Sequence, residues 1–150
     1  MKRSLYVDGS NLYGGMRDLL PPGSYFDFGL LLEIMRRDIP IDAVEFYGTY
    51  SRIESEQLLV VQQRIFGQAA FFNGAKSLPD VTFHAGYLSG GNQEKGIDMR
   101  LGLDLYIGAR NHDFDEAILY QLHPIPVMLK PSLKHKHHAN LPSSFTPSLV

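Results

Sequence analysis

The chain of 150 residues contains no cysteine. Disulfides, thiolate metal sites and thiol nucleophiles are therefore excluded, a usage that fits a reducing cytoplasm. No apolar run approaches the roughly 20 residues that a membrane-spanning helix needs. Met1-Lys2-Arg3 leads at once into a strand pattern, which is expected to leave no room for a signal peptide. A Gly-x-Ser-x-Gly elbow is missing, which argues against a serine hydrolase. Gly90-Gly91 lacks the spacing and trailing Lys of a phosphate-binding loop. Acidic residues are also absent after Glu116: residues 117–150 hold three lysines and no Asp or Glu, although the whole chain carries a net charge of −2. A mildly acidic body is not that of a general nucleic-acid binder, but it leaves room for a basic groove around an acidic site.

With 44% hydrophobic and 20% charged residues, the composition is that of an ordinary globular domain. A chain of this length can bury a core without staples. Residues 3–7 read as a strand and 11–20 as a short helix that Pro21-Pro22-Gly23 ends. Phe28, Leu31, Leu32 and Met35 have helical spacing between Asp27 and Arg37. A second strand lies within Ile41 to Tyr50. Glu54 to Phe72 is the longest helical pattern, with Leu58, Val61, Ile65 and Ala69 on one stripe. Val81 to Leu88 reads as a third strand, Ser89 to Gln93 as a flexible loop and Glu116 to Leu122 as a fourth strand. Residues 97–109 are apolar on nearly every side, which predicts a buried helix. Strands alternating with helices predict an α/β fold with a mostly parallel sheet and helices on both faces, the first strand at its centre.

Residues 1–122 are expected to form this domain, and 123–150 an irregular extension. The extension holds five of the nine prolines and four of the six histidines. Pro124 and Pro126 argue against a continuing central strand.

The most telling stretch is Ser4-Leu5-Tyr6-Val7-Asp8-Gly9-Ser10-Asn11. It reads as an apolar strand that ends on a carboxylate and a tight turn. Open α/β sheets bind ligands beyond the carboxyl ends of their strands, and carboxylate oxygens there suit magnesium or manganese. The same residues are also ordinary turn chemistry, with Ser10 or Asn11 able to cap a helix. A second constellation, Lys95-Gly96-Ile97-Asp98, opens the apolar helix, and Asp104 lies inside it. Asp98 fits a metal ligand, or a first-turn carboxylate favoured by the helix dipole. Asp104 fits a second acid, or a partner for Arg100 four residues earlier. Asp8 and Asp98 could clamp one ion whose bound water attacks a phosphodiester. Asn11, with Ser10, could orient water or phosphate. Lys95 and Arg100 could meet the substrate backbone, although Lys95 suits a solvated surface equally well.

Three segments, Tyr6 to Leu12, Lys95 to Leu105 and Phe114 to Leu119, resemble in order and spacing the NYN domain, a branch of the PIN-like metal-dependent nucleases. The resemblance spans residues 3–120. It implies a PIN-like three-layer α/β/α sandwich, cleavage of RNA, one or two Mg2+ or Mn2+ ions, and a bacterial cytoplasmic protein. Asp8, Asn11 and Asp98 fall on family site positions, and Asp104 on a recurrent acid of the helix. The chain departs from the family after Ala117-Ile118-Leu119-Tyr120. A Ser-Gly-Asp-Ser-Asp type loop is usual there, whereas this chain runs Gln121-Leu122-His123-Pro124.

The expected partners are RNA and, as an open alternative, a second copy of the chain in a homodimer. Two other functions compete with the nuclease. One is a non-catalytic RNA-binding or protein-interaction module on the same fold. The other is a phosphatase with Asp8 as nucleophile, weakened because Ser10 stands where a second acid would be. Lys134-His135-Lys136-His137-His138 matches no structural zinc spacing. His84 suits a packed strand position, His112 a turn, and the strand tyrosines packing rather than base stacking.

Overall fold

The computed structural model describes residues 1–21, 24–54, 56, 58–91, 93–120 and the backbone of 127–129. Its elements run β1 (Arg3–Asp8), α1 (Gly9–Leu19), α2 (Phe28–Asp38), β2 (Ala43–Gly48), α3 (Leu59–Lys76), β3 (Val81–Ala85), β4 (Tyr87–Leu88), β5 (Glu94–Lys95), α4 (Ile97–Asn111), β6 (Glu116–Tyr120) and β7 (Val127–Leu129). The main sheet has the order β3-β2-β1-β6-β7. Its first four strands are parallel, and β7 pairs antiparallel with β6. The α/β sandwich with a mostly parallel sheet forms as expected. No helix among the described residues is long and apolar enough to cross a membrane.

Two cores arise from the period-two alternation of the strands. Leu5 and Val7 of β1, with Val44 and Phe46 of β2, face one way. They pack with Leu12, Phe28, Leu32, Phe71 and Phe72 from the first three helices. Tyr6 and Tyr47 face the other way, against Ile97 and Leu101 of α4 and against Phe114. Asp8 continues the Tyr6 side of β1, so its carboxylate lies on the α4 face at the strand's end. The chain builds β2 and β3 on one side of β1 and then returns to place β6 on the other. The direction of winding thus switches beside β1, where an open sheet leaves a crevice.

Four expectations are corrected. The helix 97–109 is not buried all round: Ile97, Leu101 and Gly108 are buried, whereas Met99, Leu103 and Tyr106 are exposed. Only one face of α4 meets the sheet, and no described element covers the other. The third helix starts at Leu59 rather than near Glu54, and it packs through Phe71, Phe72 and Ala75. Leu58, at the head of the expected stripe, is exposed. The single strand expected over 81–88 breaks at Gly86. A Cβ there would lie 2.1 Å from Thr49 Oγ1 and 2.7 Å from Ile97 Cδ1, so only glycine lets the chain pass this close to β2 and α4. Beyond Gly86 the chain forms a separate antiparallel hairpin, β4–β5. Finally, β7 lies within the stretch read as an irregular extension. Its place at the sheet's edge is the one that nearby prolines permit. The Lys134–His138 run and the rest of 130–150 lie outside the described residues.

Gly9 makes the closest approach in the turn after β1. A Cβ on it would sit 2.1 Å from Phe46 Cε1 and 2.8 Å from the Tyr47 carbonyl oxygen. Gly9→Ala is therefore expected to cost about 3 kcal/mol, at the upper end of overpacking penalties. Chemical denaturation checks this. The double variant Gly9→Ala/Phe46→Leu should lose less than the sum of the single losses, because the two sites touch.

Candidate metal and phosphate site

Asp8 is 4% exposed and is the N-cap of α1; its Oδ1 accepts the Asn11 backbone N–H at 2.9 Å. The capping role expected of Ser10 or Asn11 thus falls to Asp8. Burial raises the Asp8 pKa above the ordinary carboxyl value, and the charges of Glu94 and Asp98 raise it further. Backbone and side-chain hydrogen bonds from Asn11 act in the opposite direction. Asp98 reaches this neighbourhood because Gly96, with φ of 84°, turns the chain sharply into α4 and leaves Asp98 in its first turn.

Glu94 was absent from the residues singled out in the sequence. It accepts a hydrogen bond from Ser10 Oγ at 2.5 Å, which ties the β4–β5 hairpin to the head of α1. The same Ser10 oxygen accepts the Thr49 backbone N–H at 3.3 Å. Thr49 is 3% exposed, and its Oγ1 has no hydrogen-bond partner among the described residues. A buried hydroxyl left unpaired is costly and calls for an explanation. The signal for Glu94 was a hairpin pattern: two short runs, Tyr87-Leu88 and Glu94-Lys95, flanking Gly90-Gly91.

The structure therefore ties Asn11 to Asp8 and Ser10 to Glu94, and the charges of Glu94 and Asp98 act on Asp8. It does not bring Asp104, Lys95 or Arg100 to them. Asp104 lies six residues beyond Asp98, about 9 Å further along the helix axis. There it accepts hydrogen bonds from Arg100 Nε at 2.7 Å and from the Tyr47 hydroxyl at 3.1 Å. His84 stacks on Tyr47, with centroids 4.5 Å apart, and bonds Glu45 at 2.6 Å. This second polar cluster lies under α4. Burial, with the charges of Glu45, Asp104 and Asp113, pushes the Tyr6 hydroxyl up to about 12. Asp104 thus takes the pairing role with Arg100. Lys95 follows Glu94 in a strand, so its side chain points to the opposite face. It lines a groove with Tyr87, Met99 and Arg100 instead.

Among the described residues, no three His, Asp or Glu side chains are close enough to ligate one ion as they stand. Magnesium, however, is held by one or two carboxylates and keeps several waters and substrate oxygens. The donor set here, carboxylates and hydroxyls without sulfur, fits a hard divalent ion. No family model, no curated protein and no solved structure matches this chain.

Proposed function

We propose that the chain is a Mg2+- or Mn2+-dependent ribonuclease of the NYN type. The observation that carries this reading is Asp8, a buried carboxylate at the sheet's switch point whose charge is opposed by Glu94 and Asp98. Acids gathered in this way repel one another unless a cation neutralises them. The resemblance of Asp8-Gly9-Ser10-Asn11 and Lys95-Gly96-Ile97-Asp98 to NYN motifs points to the same chemistry.

Asp8 and Asp98 would hold the ion, and Glu94, positioned by Ser10, would support it. When bound, the ion makes a coordinated water more acidic and offsets charge on the phosphate oxygens. Asn11, already hydrogen-bonded to Asp8, would orient the phosphate or the attacking water. The buried Asp8 and Thr49 Oγ1, which has no partner among the described residues, would supply polar contacts where bulk water is partly excluded.

A specific observation favours a second reading, a non-catalytic RNA-binding module: no acid follows Glu116. Incubation with single-stranded RNA and manganese separates the two. Cleavage is expected, chelation stops it, and Asp98→Asn slows it by at least ~10-fold, the scale of disturbing even the outer shell of a metal site. RNA that is bound but never cut would establish the module instead.

A further inference from the structure

We infer that the cleft between α1 and α3 is a binding site for the phosphodiester backbone of single-stranded RNA, leading to the carboxylates around Asp8. RNA as the ligand rests on the nuclease reading; the cleft itself stands on its own geometry. Its volume is about 370 Å3, and it is partly open to solvent. Three arginines line it from three separate elements: Arg17 from α1, Arg52 from the loop after β2, and Arg64 from α3. Among the described residues, no acidic side chain lines it. Among them too, neither Arg52 nor Arg64 has a carboxylate partner, and Arg17 meets only the exposed Asp18 at 3.3 Å. Exposed pairs of that kind hold little energy, so among the described residues nothing holds these three cations strongly.

The walls are already braced. The Tyr13 hydroxyl donates to the Arg64 carbonyl oxygen at 3.2 Å, joining α1 to α3. Gln68 Oε1 accepts the Ser51 backbone N–H at 2.9 Å, fixing the start of the loop that carries Arg52. Arginine presents a planar fork of donors that matches phosphate oxygens.

Ser10 gives the cleft its direction. It lines the cleft and also donates to Glu94. A phosphate chain lying against the three arginines would therefore pass Ser10 on its way to the carboxylates. Positive charge along the track and negative charge at its end suit a strand held by its flanking phosphates while one phosphate meets the ion. The volume lies at the small end of ligand pockets, which suits one strand rather than a duplex.

Binding of a short, fluorescently labelled oligouridylate, measured by anisotropy in EDTA with no cleavage in play, tests this. Arg52→Ala/Arg64→Ala is expected to bind at least ~10-fold more weakly than the unaltered chain. The slope of log affinity against log salt should become shallower by about 1.4, about 0.7 for each phosphate of a single strand that is no longer neutralised. A second variant, Gly14→Glu, places a carboxylate in the cleft at a helical position where a Cβ meets nothing within 4 Å. It should weaken binding to a similar degree while leaving the thermal midpoint equal or higher, because glycine is a poor helix former. Wild-type affinity and salt slope in both variants would overturn the inference. So would tighter binding of a duplex, or displacement of the strand by inorganic pyrophosphate at concentrations equal to those of the oligonucleotide. Binding that depends on the arginines in a protein that never cleaves would uphold the cleft and remove only the nuclease reading.

Discussion

Asp8→Asn is expected to reduce manganese-dependent RNA cleavage by ~100-fold or more while making the protein more stable. Both effects have one cause. The charge of Asp8 is needed to hold the ion, yet burial and the neighbouring Glu94 and Asp98 make that charge unfavourable in the folded chain. A carboxyl whose folded pKa lies above its unfolded value costs stability as pH rises through the interval between the two. It costs nothing below both values and a constant amount above them. Asparagine keeps the oxygen that caps α1, and it is among the best N-cap residues. The gain in the variant should therefore vanish in strong acid, grow as the carboxyl ionises and level off near neutrality. A gain of order 1 kcal/mol would appear as roughly 2–4 °C in a chain of this size. Melting curves across pH, recorded in EDTA, check it. An Asp8→Asn protein that melts lower at neutral pH would contradict the description of Asp8 as a carboxylate whose charge is unfavourable in the folded chain, the exchange of stability for activity expected of functional sites.

Phe46→Ala is expected to cost about 3–5 kcal/mol, the range for emptying a buried phenylalanine site. Phe46 is fully buried in β2, next to the central strand. Its ring meets Phe28 at 4.9 Å, Phe83 at 5.6 Å, Phe71 at 5.8 Å and Phe72 at 5.9 Å between centroids. These neighbours come from α2, α3 and β3, so they cannot all move inward to close the gap. The loss is a large share of the ~5–15 kcal/mol that holds a typical domain together. Denaturant titration would show a lower midpoint with little change in slope. A loss below about 1 kcal/mol would mean that the aromatic cluster is not the keystone of this face.

Part of this was legible in the sequence. The alternation of strands and helices, and Asp8 at the end of a central strand, follow from local patterns. Period-two burial explains why Leu5 and Val7 face one core and Tyr6 the other. The pairing of Arg100 with Asp104 was one of two readings open at helical spacing, and packing chose it by drawing Tyr47 to the same carboxylate. The only local signal for Glu94 is the pair of short runs around Gly90-Gly91, because two residues per strand are too few to show a period. The alternation between Glu94 and Lys95 places Lys95 in the groove with Tyr87 and Met99. The cleft arginines were hidden for another reason. Arg17, Arg52 and Arg64 converge only through the packing of α1 against α3, which no local spacing records. The exposed side of α4 was misjudged because composition tells how apolar a helix is, and not what covers it.

Manganese binding followed by electron paramagnetic resonance, in the absence of RNA, tests whether Asp8 and Asp98 hold an ion. The chain is expected to take up manganese, and Asp8→Asn and Asp98→Asn are each expected to weaken the uptake by at least ~10-fold, while Asp104→Asn does not. Equal uptake by the unaltered chain and by both site variants would contradict this.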